Sequence, residues 1–543
     1  MFARSIQYSC KQDDLVNSAV SPVTPNSFVA QSEAPIPPTP APAPAPPAAP
    51  AAFGVRIATG LVGVLLAVLV SGFNENVTKF AMPDIRGAMG FSYDQSTWLL
   101  AIYAATSVSA MAFAPWCSGT FTLRRFTLFA IGAFMLLGIL CPFAPNYESM
   151  VVLRILQGFA GGALPPMLMS VALRFLPPGV KLYGLGGYAL TATFGPSFGL
   201  PLAAWSVEYL GWQYAFWQII PVCLAAMAFV AWGLPQDPMK LERIKQFNWR
   251  GFLLGLPALI MIVLGLEQGE RLDWFNDPLI RLLIGGGVSL LILFFVNEWS
   301  APLPFFKVQM LRIRNLSHAL ITLGGVLFVL LGVIIIPSNF LAEVQGYRPL
   351  QTAPVLLWVA VPQLIALPLV VALLNNRIVD CRVVLATGLA LLAVACFIGS
   401  HVTQAWHRED FYLMQMIQII AQPMAVIPLL MLATGGLQPT DGPFASAWFN
   451  TIKGFAAVAA SSTLETVTLH RVHFHSTMLV DRYGNNPAVT AGVDPAEMAH
   501  RLHVQAIVLT SSDLYLYMGG LALLMILLIP IMPTRIFPPR AVS

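Results

Sequence analysis

Charged residues make up 10% of this 543-residue chain, and the informative ones interrupt otherwise apolar stretches. Glu75 stands in GFNENVTKF beside Asn74 and Asn76, with Lys79 four residues later and so on the same helical face. One reading makes Glu75 a proton- or substrate-binding carboxylate. The other makes it half of an i,i+4 ion pair with Lys79, worth about 0.3 kcal/mol. Arg154 lies in VVLRILQGFAGG, where Gln157 at i+3 shares its face and Gly158, Gly161 and Gly162 permit close helix contact. Arginine and glutamine so placed can face inward toward a functional site, or the arginine can snorkel outward. Lys453, in NTIKGFAAVAA, carries the same two readings. TATFGPSFGLPLAAW puts Gly195, Pro196, Gly199 and Pro201 within two turns, removing backbone donors and letting a neighbouring helix approach. His470, His473 and His475, with His500 and His503 further on, have spacing that can bind zinc or copper, although histidines at a helix end outside a membrane are ordinarily just solvated. The expectation is no metal and no cofactor. Cys10, Cys117, Cys141, Cys223, Cys381 and Cys396 show no CxxC spacing and read as small apolar fillers.

The elements that must position these residues follow from composition. The chain is 57% hydrophobic, whereas a soluble domain carries about 25% charged residues, so a water-soluble fold is excluded. A net charge of +4 without any lysine- or arginine-rich block excludes nucleic acid as a partner. From Val55 onward, apolar stretches of roughly 20 residues recur about fourteen times, each long enough to cross ~30 Å of hydrocarbon. The predicted fold is therefore an all-α polytopic membrane protein surrounded by lipid. Arg124/Arg125, Arg174/Lys181, the Lys240 to Arg250 group, Lys307/Arg312/Arg314, Arg377/Arg382 and Arg535/Arg540 flank alternate breaks and mark the cytoplasmic side. The loop Glu267 to Asp277 on the other side is acidic. An even number of spans leaves both termini cytoplasmic. Residues 1–54, Pro/Ala-rich, read as a disordered tail, 469–510 as a long outer loop and 534–543 as a second tail.

These residues carry a resemblance to the major facilitator superfamily, specifically its fourteen-span drug:H⁺ antiporter branch, which includes multidrug efflux inner-membrane subunits of the EmrB/QacA type. MPDIRGAMGFSYDQSTWLLAIY is similar to the segment joining the first two spans in that branch. Arg154, Gln157 and Gly158 match the R-x-x-Q-G core of its fourth-span motif. Gly195, Pro196 and Gly199 match G-P-x-x-G of the fifth-span antiporter motif, with Leu200 in place of the usual second glycine. Asn74 stands where an aspartate is usual, the carboxylate moving to Glu75. PWCSGTFTLRR keeps only Arg124 and Arg125 of the family's gating loop, with Gly119 at the acidic position.

The resemblance implies two six-helix bundles, 55–234 and 316–533, with two transmembrane helices inserted at 250–297. It further implies alternating access, proton antiport and export of small hydrophobic compounds across a bacterial inner membrane. Glu75 and Arg154 would then couple the proton, and Asn74, Gln157, Asn339, Gln363 and Gln418 would supply polar groups to an otherwise apolar cavity. A periplasmic adaptor and an outer-membrane channel would be partners. A dedicated exporter of one metabolite or siderophore fits the same residues, and a proton symporter for uptake is disfavoured by the antiporter motif. The chain contains no HExxH, GxSxG, P-loop or aspartate pair within a span, which argues against a membrane-embedded enzyme or an ATP-driven pump.

Overall fold

A computed structural model describes residues 54–376, 378–435, 441–484 and 494–531. The tails expected at 1–54 and 534–543 lie outside the described residues, apart from Gly54, which precedes the first helix. That helix, α1 (Val55–Met89), is continued by α2 (Tyr93–Phe121), α3 (Leu123–Leu140), α4 (Tyr147–Gly162), α5 (Leu164–Phe175), α6 (Pro178–Leu210), α7 (Tyr214–Trp217) and α8 (Ile219–Gly233). Next come the paired α9 (Trp249–Gln268) and α10 (Pro278–Ser300). The chain closes with α11 (Arg314–Glu343), α12 (Pro349–Asn375), α13 (Cys381–Gly399), α14 (Tyr412–Thr434), α15 (Gly442–Gly484) and α16 (Pro495–Leu528). Twelve helical segments among the described residues are long and apolar enough to cross a membrane, with α4–α5 and α7–α8 each counting as one. The long helices α6 and α15 lie packed among them.

Local chemistry sets the helix ends. Gly90, at φ 71°, closes α1 by returning its N–H to the Arg86 carbonyl. Ser92 opens α2 with a reciprocal cap to Gln95, and Asn146 opens α4 in the same way through Ser149. Pro165 and Pro166 cannot continue the α4 hydrogen-bond ladder, so the helix breaks at Ala163, two turns after Arg154, and restarts as α5. The α2–α3 corner turns through Thr122, whose φ of 78° is left-handed for a residue with a Cβ.

Within the first six spans, α1 packs on α6 and α8, and α2 on α4. Within the last six, α13 packs on α14 and α16, and α11 on α15 and α16. The α9–α10 pair leans through α9 on α2 and α15, one helix from each set. The described cysteines Cys117, Cys141, Cys223 and Cys396 sit buried or half-buried among apolar side chains and form no disulfide. Arg124 and Arg125, Arg174, Lys240 to Arg250, Lys307 and Arg382 fall at one end of the helices, called the basic end below.

Two expectations need correction. The stretch 469–510 is not a loop over most of its length: α15 continues to Gly484 and α16 begins at Pro495. At 1.5 Å per residue, 43 residues of α15 span roughly 64 Å, about twice the hydrocarbon thickness. The two helices therefore project well past it. Arg471 and His475 of α15 share the Asp513 carboxylate of α16 (His475 Nε2 to Oδ2, 2.7 Å), joining the helices across the hairpin. Glu267, expected to open the acidic loop, lies instead in the last turn of α9.

Candidate functional site

The largest fully buried side chain in the described protein is that of Arg154. Three side chains surround it, and a buried asparagine backs one of them. Its Nη1 donates to Gln157 Oε1 at 2.8 Å, so the i,i+3 spacing read from the sequence places the pair on one face. Its guanidinium carbon stands 4.0 Å from the centre of the Tyr103 ring on α2 and 5.9 Å from that of Phe216, a cation–π arrangement. Asn74 of α1 is fully buried against the Tyr103 hydroxyl. The glycines after Arg154 make this geometry possible. A Cβ on Gly158 would lie 2.8 Å from the Tyr103 carbonyl, and one on Gly162 would run into Ser107 of α2. No carboxylate pairs with the arginine. Among the described residues, Arg154 Nε and Nη2 and Gln157 Nε2 find no protein hydrogen-bond partner. Buried polar groups are ordinarily satisfied, and a concentration of unsatisfied ones marks a site with a task beyond stability.

Glu75 points elsewhere, about 100° around α1 from Asn74. It is exposed, as is Lys79, and neither makes a hydrogen bond or ion pair among the described residues. The i,i+4 pair considered above is not closed. The charges within electrostatic reach of the Glu75 carboxylate include Lys79, Arg154, Lys453 from α15 and the carboxylate of Glu267 from α9. It is thus within reach of cations from both sets of helices. On the other side of α1, Gly199 of α6 meets Asn76: an added Cβ would lie 2.5 Å from Asn76 Cβ, whereas one on Gly195 would meet nothing within 4 Å. The antiporter-like segment seats α6 against the turn that carries Glu75. Phe73 contacts Phe194 and Phe198, with ring centres 5.8 and 5.4 Å apart, giving this region an aromatic wall.

The remaining polar expectations lie apart from this site. Gln363 donates to Gln422 at 2.6 Å and Gln422 to Gln418 at 2.9 Å, a buried amide chain between α12 and α14. Asn339 is exposed on α11. At the α2–α3 corner the contacts come from the Lys240 to Arg250 group and from Gln236 rather than from Arg124 and Arg125. Arg243 lies against Gly119 and 6.0 Å from the Trp116 ring. The Lys240 N–H donates to the Thr120 carbonyl at 3.0 Å and Gln236 to Thr122 Oγ1 at 3.3 Å. Arg124 is half-buried and Arg125 exposed. His473, His500 and His503 are exposed, His470 bonds its own helix, and no metal-holding group of three or more His, Cys, Asp or Glu occurs among the described residues.

Six helical spans, an inserted pair and six more, enclosing a buried arginine and a carboxylate within reach of cations from both sets, define a polytopic membrane protein of the transporter class. Residues 64–461 match the Major Facilitator Superfamily, and the chain belongs to that family. It is 23% identical over 428 residues to the multidrug export protein EmrB of Haemophilus influenzae, covering 77% of this chain and 81% of that protein. It is 24% identical over 439 residues to the probable multidrug resistance protein EmrY of Escherichia coli, covering 78% and 83%. The fatty acid resistance protein FarB of Neisseria gonorrhoeae is 26% identical over 362 residues, covering 66% and 68%. Among solved structures, the proton:xylose symporter XylE superposes with a TM-score of 0.56 at 13% identity, covering 88% of this chain and 96% of that one, a likeness of fold alone.

Proposed function

We propose that the protein exports small hydrophobic compounds or drugs by proton antiport, alternating access between the two faces of a bacterial inner membrane. The observation that carries this reading is the Glu75–Arg154 site in a chain whose relatives include named multidrug export proteins. The rocking bodies are the six-helix units 55–234 and 316–533, with 250–297 inserted between them. The basic end faces the cytoplasm and both termini lie there. Glu75 takes up the proton, since it is an exposed carboxylate within reach of cations from both bundles. Arg154, held by Gln157 and Tyr103, keeps a fixed positive charge within electrostatic reach of it. Asn74 and Gln157 supply further polar groups, and the phenylalanines supply apolar wall. Drug binding and protonation favour opposite states, so inward proton movement is linked to outward drug movement. The projecting α15–α16 hairpin offers a periplasmic adaptor a place to hand substrate toward an outer-membrane channel.

The test is accumulation of a fluorescent hydrophobic dye in energised cells. Cells with the wild-type protein should exclude dye, and a protonophore should abolish exclusion. Glu75→Gln and Arg154→Ala should each do the same at equal expression. Dye levels equal to those of an empty-vector strain would defeat the reading.

A further inference from the structure

On α15, Ser446, Asn450 and Lys453 stand at i, i+4 and i+7, on one helical face. That face meets the first six spans. Ser446 Oγ donates to the Pro166 carbonyl of α5 at 2.9 Å, and the Tyr188 hydroxyl of α6 donates to Asn450 Oδ1 at 2.7 Å. Lys453 Nζ donates to Thr191 Oγ1 of α6 at 3.3 Å and lies 5.0 Å from the centre of the Tyr188 ring. Gly454 allows the approach, since a Cβ there would come within 3.0 Å of Met111 Sδ on α2. Tyr188, Ser446 and Asn450 are fully buried. Counting from Pro178 and Gly442, these residues stand roughly 6 to 20 Å inward from the basic end. The seam between the two halves is therefore closed there, while Glu75, further along, is exposed.

Lys453 is a cation held in this closed seam by a ring and a hydroxyl, neither of which carries charge. The opposite charge that reaches it is Glu75 of α1. Three cations reach Glu75, namely Lys79, Arg154 and Lys453; the carboxylate of Glu267 on α9 reaches both Glu75 and Lys79, and that of Glu465 on α15 reaches Lys79. Lys79 shares its helix and Arg154 its half of the molecule, so neither interaction changes when the halves rock. Lys453 alone of the three lies across the seam. An ammonium at membrane depth is costly when its counter-charge is removed.

We propose that Lys453 is the positioning residue through which the charge on Glu75 sets the state of the basic end. With Glu75 ionised, its field holds Lys453 on Tyr188 and Thr191 and the seam stays shut. Proton uptake by Glu75 leaves Lys453 in the seam without a counter-charge; it withdraws to water, the Tyr188–Asn450 contact loses its neighbour, and the basic end opens. The proton comes from the opposite face, so acid outside opens the inside, the direction that antiport requires. This rests on the proton-export reading above and adds to it the residue of the second half that senses the proton.

The experiment places a single cysteine at Leu173, which meets Gly442 across the seam, in the full-length chain with its six native cysteines replaced by alanine. Inverted membrane vesicles are labelled with an impermeant maleimide while lumenal pH is lowered from about 8 to about 5, a range that protonates an exposed carboxylate. With Lys453 present, labelling should accelerate about tenfold in acid. Glu75→Gln should label fast at both values. Lys453→Met should label at one rate throughout, and Lys453→Arg should restore the response. A full acid response in Lys453→Met overturns the Lys453 assignment, and if Glu75→Gln still mimics acid, proton coupling at Glu75 survives. No response in the parent and none from Glu75→Gln would instead remove the proton-export reading. Should Lys453→Met not reach the membrane, Tyr188→Leu decides, because it removes ring and hydroxyl and keeps every charge. It should label fast at both values, and a parent-like response would overturn the proposal.

Discussion

The two glycines of the antiporter-like segment differ in what surrounds them, and the difference sets a sharp expectation. In Gly199→Ala the new methyl would stand 2.5 Å from Asn76 Cβ, whereas carbon atoms in contact keep about 3.5–4.0 Å apart. The overlap is therefore at least about 1 Å. Asn76 cannot simply rotate aside, because its Cβ is fixed by the α1 backbone and its Nδ2 donates to the Gly72 carbonyl at 2.8 Å. Either α6 backs away or the turn holding Glu75 shifts, at a cost of about 1–3 kcal/mol for an overpacked interior. That range corresponds to roughly a 5- to 150-fold change in an equilibrium. Gly195→Ala meets nothing within 4 Å, and it gains up to about 1 kcal/mol of helix propensity. Thermal unfolding in detergent and dye efflux at matched expression measure both variants. Gly199→Ala should unfold at lower temperature and export at least about fivefold more slowly, while Gly195→Ala should match or exceed the wild type in stability. Equal losses from both would refute the claim that this segment acts by seating α6 against α1.

Arg154→Lys keeps the charge but loses the planar contact with Tyr103 and the geometry of the Gln157 bond. Dye efflux should fall at least about tenfold, and wild-type efflux would mean that charge alone suffices. Gln422→Leu leaves Gln363 and Gln418 buried without their shared partner, at about 1–3 kcal/mol each. The unfolding midpoint should drop while the KM for dye stays unchanged; a shifted KM at normal stability would bring the amide chain into the substrate path. Asp513→Asn weakens the Arg471–His475 junction between α15 and α16, so limited proteolysis between 470 and 510 should accelerate severalfold. Resistance equal to the wild type would show that apolar packing alone holds the hairpin.

The sequence carried the membrane-spanning architecture because a span has one overriding requirement, about 20 apolar residues between polar breaks. It also carried the Arg154–Gln157 pair, since i,i+3 spacing within one helix fixes a shared face. Tyr103 and Asn74 complete that site from α2 and α1, and Asn74 was weighed as a cavity group rather than as a buried partner of Tyr103. Such cross-helix neighbours depend on rotation about each helix axis, which hydropathy does not record. For the same reason the Tyr188–Asn450 contact, between residues 262 apart, left no local signal. The helical 469–484 segment was missed on different grounds. Its residues, including Arg471, His473, His475 and Asp481, are polar enough to end an apolar stretch, yet polarity ends a membrane span without ending a helix. Gln363 and Gln418, expected as cavity groups, instead bond their mutual partner Gln422 between α12 and α14.

The inserted α9–α10 pair bears on how the halves move. At its far end from the basic side, α9 holds both neighbours. Gln268 meets Thr97 of α2 at 3.5 Å and Arg271 pairs with Asp94 at 2.8 Å, while Ser462 of α15 donates to the Leu266 carbonyl at 2.6 Å and Thr466 faces the Trp274 indole at 3.3 Å. At the basic end the same pair is locked to its own connector. Glu298 of α10 is fully buried, accepts the Asn248 amide at 2.7 Å and the Phe306 N–H at 3.0 Å, and so fixes the segment 301–306 beneath α10. Phe305 of that segment then packs on Phe113 and Trp116 of α2, and Phe306 on Trp448 of α15. The inserted pair thus touches α2 and α15 at both ends of the membrane. Any motion that parts α2 from α15 at one end must break one of these sets of contacts and keep the other. Ion pairs and single hydrogen bonds at the far end are individually weak, whereas the aromatic packing at the basic end buries large surfaces. The far end is therefore the easier to release, and the basic end the firmer closure.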